Sequence, residues 1–453
     1  MKILDITGGM IIDGTGSPRH LGGLRIVDER IVAVWKGATT PAELAMPADR
    51  TINATGMTVL PGLIDAHVHM SYGEGRTAEE LDVYAGPEWS AIRSIWNARK
   101  ILNAGVTTIV DPGGTYNVSV AVRDAITNGM FPGPRNYCAG RHISADGGFA
   151  DYFPSWIGMP VSAEGVLCGT RDEMLREIRR QVKNRVDFIK LSGDSQAQEK
   201  NMAAGPCFTD DEFETMVGIA HQLGRKVAVH ARHAETIFKA ATFGIDWIYH
   251  ASHLRERDLE LVKKSGAYLC PTLTFAMNII QYGREFGSTE KQIDLRKREI
   301  DGLVRTYNMV RKAGIPIMSG TESGFSMCPY GDWHARELEL LVDLLGFSEM
   351  EAIVAGTQTN ARAIGAEGDV GSLQPGRYGD VLIVRSDPLQ RISSLQESSN
   401  IVHVIKGGAD VDRTPVAPRR RMGHEMGFAV STAILAPEAR TMNVKPRAHD
   451  RAL

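Results

Sequence analysis

Up to about residue 60 the chain alternates short apolar runs with Gly and Asp. Met10-Ile11-Ile12, Leu24 to Val27 and Ile31 to Trp35 are each closed by such breaks, a spacing that predicts a β-meander. The pattern then changes. Apolar runs of a few residues take turns with longer stretches whose apolar positions recur every three to four residues, as parallel βα units do. Strands are expected at Thr107 to Val110, Asn136 to Ala139, Phe188 to Leu191, Val227 to His230, Trp247 to His250, Tyr268 to Cys270 and Ile315 to Ser319. Helices are expected at Glu88 to Leu102, Arg171 to Asn184, Asp210 to Leu223, Leu259 to Lys264, Lys291 to Lys312 and His334 to Leu345. With a strand leading to His67, eight strands can be placed, the number a (β/α)8 barrel requires. β character returns at Val381 to Val384 and Ile401 to Ile405. The expected fold class is therefore α/β: a barrel over 61–365, inserted in a small β-sandwich made from 1–60 and 366–412.

Composition changes this picture little. A chain of 453 residues fits a barrel plus an accessory domain, and 43% apolar with 23% charged residues is ordinary for a globular protein. A net charge of −3 gives no electrostatic case for nucleic acid or an acidic membrane. No run approaches the ~18 apolar residues of a membrane helix. Asp5 and several glycines break the N-terminus, so no signal peptide is expected there. Cys138, Cys168, Cys207, Cys270 and Cys328 are scattered without a C-x-x-C pair. They read as free thiols of a reducing compartment, hence the cytoplasm. From Arg413 onward eight basic residues face three acidic ones, with several prolines. Residues 413–453 are expected to be a basic extended tail, which the apolar run Phe428 to Leu435 could dock.

Candidate chemistry gathers at the ends of the expected strands. Pro61 to Met70 reads PGLIDAHVHM and ends in His67-Val68-His69. Side chains alternate along a strand, so the two imidazoles point the same way and form a pincer for a transition-metal ion. Asp65 shares that face and could orient a ligand. Lys190 ends an apolar strand, where a charged ammonium would be costly, unless it snorkels to water. His230 and His250 end two successive apolar strands; either alone would be an ordinary core histidine. After the eighth expected strand comes Gly320-Thr321-Glu322.

The run PGLIDAHVH, followed by Lys190, His230, His250 and Glu322 in that order, resembles the amidohydrolase superfamily. That resemblance implies metal-dependent hydrolysis on a (β/α)8 barrel. It also implies metal ligation by His67, His69, Lys190, His230, His250 and Glu322. One or two divalent ions, zinc first, are expected, with Lys190 carbamylated as in binuclear members. Glu322 stands where relatives carry Asp and is the expected general base, with His250 beside it as a second catalytic candidate. The longer side chain leaves open whether the site is mononuclear. Around these residues VAVHARHAE, IDWIYHASH and a Gly-Gly run are similar to the branch of prolidases, ochratoxin-type amidases and imidazolonepropionase-like proteins. Hydrolases of urea and thiocarbamate herbicides are similar to that branch. The late Tyr378-Gly379 replaces a usual small pair.

Such an ion lowers the pKa of bound water from about 15.7 towards ~7. Hydroxide attack, with proton transfer by Glu322, would break a C–N bond of an amide, carbamate or urea. Loops after the third and eighth strands carry Phe149, Tyr152, Phe153, Trp156, Met159, Phe325, Met327, Tyr330 and Trp333. They either pack the loops or form an apolar pocket for a hydrophobic, aromatic small molecule. The substrate-facing candidates are Arg141, His142, Phe149, Tyr152, Trp156, Arg232, His253 and Phe325. Arg141, His142 and Arg232 would instead serve a carboxylate, as in a prolidase-like carboxypeptidase or an N-acyl amino acid hydrolase. Phe149 replaces a histidine of many relatives, and Arg232 a polar or aromatic residue. A homo-oligomer is expected, and an inactive scaffold with the same fold is the alternative that metal content would exclude.

Overall fold

The computed structural model describes residues 1–44, 46–196, 204–419, 421 and 437. Apolar runs and helix starts place the elements close to where the sequence put them. Four helices open on capping boxes in which a Ser or Thr and a Glu or Gln three residues on satisfy each other's backbone N–H: Thr170 with Glu173, Thr209 with Glu212, Thr289 with Gln292 and Ser348 with Glu351. These start helices Arg171–Lys183, Asp210–Gln222, Glu290–Lys312 and Glu349–Val354. Helices Val118–Thr127, Ala234–Thr242 and Leu273–Tyr282 were not anticipated.

Both ends of the chain contribute to one mixed eight-stranded sheet. Thr58–Pro61 runs parallel to Ile3–Ile11 on one side and antiparallel to Val381–Val384 on the other. Ile6, Leu24, Ile26, Val59, Val381, Ile383 and Ile405 form its core.

The central part holds two parallel ladders with helices between their strands. One pairs Leu63–Asp65, Val106–Asp111 and Arg135–Cys138. The other runs Gly165–Leu167, His142–Ser144, Phe188–Ser192, Lys226–Ala231, Trp247–His250, Tyr268–Cys270. A backbone bond from Asp187 N to Cys138 O at 2.8 Å joins the two, and Ala66 N donates to Ser319 O at 2.9 Å in the segment that follows the second ladder. The strand expected at Ile315 to Ser319 is reduced to an isolated bridge between Leu269 and Ile317. Two causes are visible. Pro316 has no N–H to offer a ladder. The Asn360 amide also wedges beside Ser319: Oδ1 accepts from Ser319 N at 3.1 Å, and Nδ2 donates to Ser319 O at 2.8 Å and Ile64 O at 2.7 Å. A side chain thus takes bonds that a neighbouring strand would otherwise make.

The described residues 413–419 have neither helix nor strand. The start of the basic tail lies against the body: Arg413 Nε donates to Asn103 O at 3.0 Å and Arg421 Nη2 to Glu80 Oε2 at 2.7 Å. The Phe428 to Leu435 run lies outside the described residues. No helix among them is long and apolar enough to cross a membrane.

Candidate metal centre

His67 and His69 follow directly on the strand Leu63–Asp65, and their Nε2 atoms converge to 3.1 Å. The backbone around them is tied down by Asp65. Its carboxylate accepts from His67 N at 3.0 Å, Thr321 N at 3.0 Å, Thr321 Oγ1 at 2.6 Å and His334 Nδ1 at 2.6 Å. One buried acid thereby holds the first strand end to the Gly320-Thr321 segment. Gly320 is needed at that crossing, since a Cβ there would lie 2.8 Å from His67 N.

Tautomers follow from the partners. His69 Nδ1 lies 2.8 Å from Gly113 O, so it carries the proton and leaves the Nε2 lone pair facing His67. The Thr272 hydroxyl donates to Pro271 O at 2.7 Å and can only accept from His250 Nδ1. His250 Nε2 is thus a bare lone pair; it is buried, makes no hydrogen bond and stands 3.9 Å from Glu322 Oε1. Donor atoms of His67, His69 and Glu322 all lie within 4.8 Å of one another. Two of the residues around this centre hold left-handed backbone, His250 at φ 69° and Glu322 at φ 62°. Such strain gathers at functional sites, where the surroundings impose it.

Burial sets the charge states. It pushes His67, His230 and His250 well below the ordinary imidazole range, and His69 down to about 3. Neutral imidazoles are the ligating form. Burial also lowers Lys190 to about 7, against the pull of Glu322. Its Nζ sits 3.8 Å over the Tyr249 ring. Burial raises the Glu322 carboxyl, and Arg232 works against that rise. The bare His250 nitrogen and the converging Nε2 atoms of His67 and His69 are what a divalent transition-metal ion would satisfy.

A cavity of about 340 Å³ opens above this centre. Among the expected substrate-facing residues, Phe149, Tyr152, Arg232, His253 and Phe325 line it. So does His230, stacked on the Phe149 ring at 3.9 Å. Arg141, His142 and Trp156 do not line it. His142 is buried close to the metal centre but outside the cavity wall, with Nδ1 2.6 Å from Ser192 Oγ and Nε2 3.7 Å from Glu164 Oε1. Trp156 is 84% exposed. Arg232 is engaged rather than free: Nε donates to Glu299 Oε1 at 2.5 Å and Nη1 to His230 Nε2 at 2.8 Å.

Several lining residues escaped the sequence reading. Asp194 lies 3.5 Å from His230 Nε2. Glu299, Arg296 and Arg298 come from helix Glu290–Lys312 and Phe275 from helix Leu273–Tyr282. Asp194, two residues past a strand that carries a candidate ligand, was the one with a positional signal.

Comparison with known proteins agrees with the motifs. The amidohydrolase family model matches residues 58–411. Aspergillus niger ochratoxinase is 27% identical over 428 residues, spanning 90% of this chain and 86% of that protein. Its crystal structure superposes with a TM-score of 0.78 at 24% identity, covering 90% of this chain and 95% of that one. A Xaa-Pro dipeptidase with methionine bound in its active site gives a TM-score of 0.78 at 26% identity, over 91% of this chain and all of that one (100%). Phenylurea hydrolase B gives 0.77 at 19%, over 92% and 99%, a likeness of fold alone. The chain belongs to the amidohydrolase family and is a metal-dependent hydrolase.

Proposed function

We propose that the enzyme hydrolyses the C–N bond of a hydrophobic, aromatic amide, carbamate or urea. The observation that carries this reading is the compact donor set His67, His69 and Glu322, of which Glu322 also lines a cavity with Phe149, Tyr152, Phe275 and Phe325. Those three residues would hold a divalent ion, zinc first. Lys190, His230 and His250, the other expected ligands, stand around the same centre, and burial lowers the Lys190 amine to about 7, which suits carbamylation. When bound, such an ion supplies an acidic water near neutral pH and polarises a substrate carbonyl.

The protein's own groups do the rest. The buried Glu322 carboxylate takes the proton from the attacking water and returns it to the departing nitrogen, which makes the amine a tolerable leaving group. Aromatic side chains hold the apolar part of the substrate and keep bulk water out of the cavity. As part of the same reading, the two parallel ladders form a (β/α)8 barrel set in a β-sandwich made from both chain ends. The exposed Trp156, Ile157 and Val161 support a homo-oligomer, and five free cysteines support a cytoplasmic setting.

A carboxylate-bearing substrate is the second reading. Arg141 and His142 stand away from the cavity and Arg232 is paired with Glu299, which leaves little of the cation set first suggested. Arg298 favours it, being exposed on the cavity wall and without an ion-pair partner among the described residues. The test compares kcat/KM for a neutral anilide, aryl carbamate or arylurea with that for acyl-proline or acyl-phenylalanine. Neutral compounds are expected to win. Preference for the acids, abolished by Arg298→Ala, would overturn the neutral-substrate reading.

A further inference from the structure

The expected ligand set gives His230 to a second ion, but its Nε2 is already engaged. Arg232 Nη1 lies 2.8 Å away. A guanidinium has N–H donors and no lone pair, and it stays charged at any working pH. His230 Nε2 must therefore be the acceptor, and its lone pair is in use.

Arg232 is not a loose side chain that could swing aside. Its Nε is bonded to Glu299, and its backbone N donates to Asp194 Oδ2 at 2.6 Å. Glu299 is itself gripped by Arg296. The Phe149 ring lies 5.4 Å from the guanidinium carbon. Side-chain exposures of 14% for Arg232 and 8% for Glu299 place the pair where charges are weakly screened. A fixed positive charge stands against the nitrogen a second cation would need.

We propose that the enzyme holds a single divalent ion at His67, His69 and Glu322, and that the Arg232 guanidinium fills the place of a second, donating to the carbonyl oxygen of the bound substrate. This deepens the metal-dependent reading above and rests on it. Arg232 lines the cavity together with Glu322. Of the five guanidinium protons, those given to Glu299 and His230 leave three for a substrate oxygen. Donors fixed before the reaction need no reorganisation as negative charge develops on that oxygen.

The test counts metal. The full-length chain is loaded with excess zinc and bicarbonate, freed of unbound ion and analysed by plasma mass spectrometry. A parallel manganese-loaded sample is read by electron paramagnetic resonance for spin-coupled pairs. One zinc per chain and an uncoupled manganese spectrum are expected for the wild type. Arg232→Ala should bind two ions, and so should Arg232→Gln combined with Glu299→Gln, which leaves no lone charge if the single variant folds badly. Arg232→Lys keeps the charge and should stay at one. Turnover of Arg232→Ala should fall roughly 10²- to 10³-fold, as on loss of a preorganised oxyanion donor. Two zinc ions in the wild type would overturn this inference alone. So would a single ion in a folded Arg232→Ala or in the double variant. No zinc in the wild type would overturn the metal reading itself, and this inference with it.

Discussion

Lys190 and Tyr249 meet across the strand Lys226–Ala231 that separates their own: the amine sits 3.8 Å over the ring, and the ring's hydroxyl donates to Ala66 O at 2.9 Å. Ala66 immediately precedes His67, so the phenol ties a metal-site strand to the lysine beneath it. Tyr249→Phe keeps the ring and leaves a buried carbonyl without its donor. It should cost about 1–3 kcal/mol in urea unfolding while kcat changes only a few-fold. Tyr249→Leu should lower kcat as well, because Lys190 loses the surface that positions it. Equal stability of the Phe variant and wild type would show that the hydroxyl is not holding the strand end.

Removal of either pincer imidazole should empty the site. His67→Ala and His69→Ala are expected to retain little metal and no turnover above background, since the two Nε2 atoms converge on one place. Chelator treatment of the wild type should do the same, and added zinc should restore activity. Full turnover in protein shown to be metal-free would exclude the mechanism.

Glu322 is expected to move the proton. Glu322→Gln should lower kcat at least ~10²-fold with KM little changed, the pattern for a lost acid–base group. Glu322→Asp, which shortens the arm towards the form common in relatives, should retain more activity than Gln. A Gln variant with near-normal kcat would leave the carboxylate a purely structural role.

Glu299 links stability to acid. Burial alone would raise its pKa, but Arg232 and Arg296 outweigh burial and hold it at about 2, below the ordinary 4.5. A depressed carboxyl stabilises the fold fully above its unfolded pKa and loses that contribution as pH falls through its folded one. The stability gap between wild type and Glu299→Gln should thus be full above pH 4.5, on the order of 3 kcal/mol, and shrink towards pH 2. A gap that stays constant over that window would mean the ion pairs do not stabilise the fold.

By itself the sequence determined the order of the chemistry. The paired orientation of His67 and His69 is legible from a strand's period of two, a local property, whereas Lys190, His230, His250 and Glu322 join them as candidates only through the order that resembles the family. The starts at Arg171 and Asp210 were legible for the same local reason, since a helix start is set within its first few residues. The tertiary structure decided which charges meet. Arg232 and Glu299 are 67 residues apart, and only the packing of helix Glu290–Lys312 beside the strand ends turns a free cation into a paired one held against His230. Loop placement was equally illegible: Phe149 reaches the cavity and Trp156, seven positions on, stands in solvent. The eighth expected strand is reduced to a bridge where Pro316 offers no N–H and Asn360, 41 residues downstream, shares the backbone groups of Ser319. Local pattern fixes which way a side chain leaves its own strand; what it finds there depends on segments brought in by the fold.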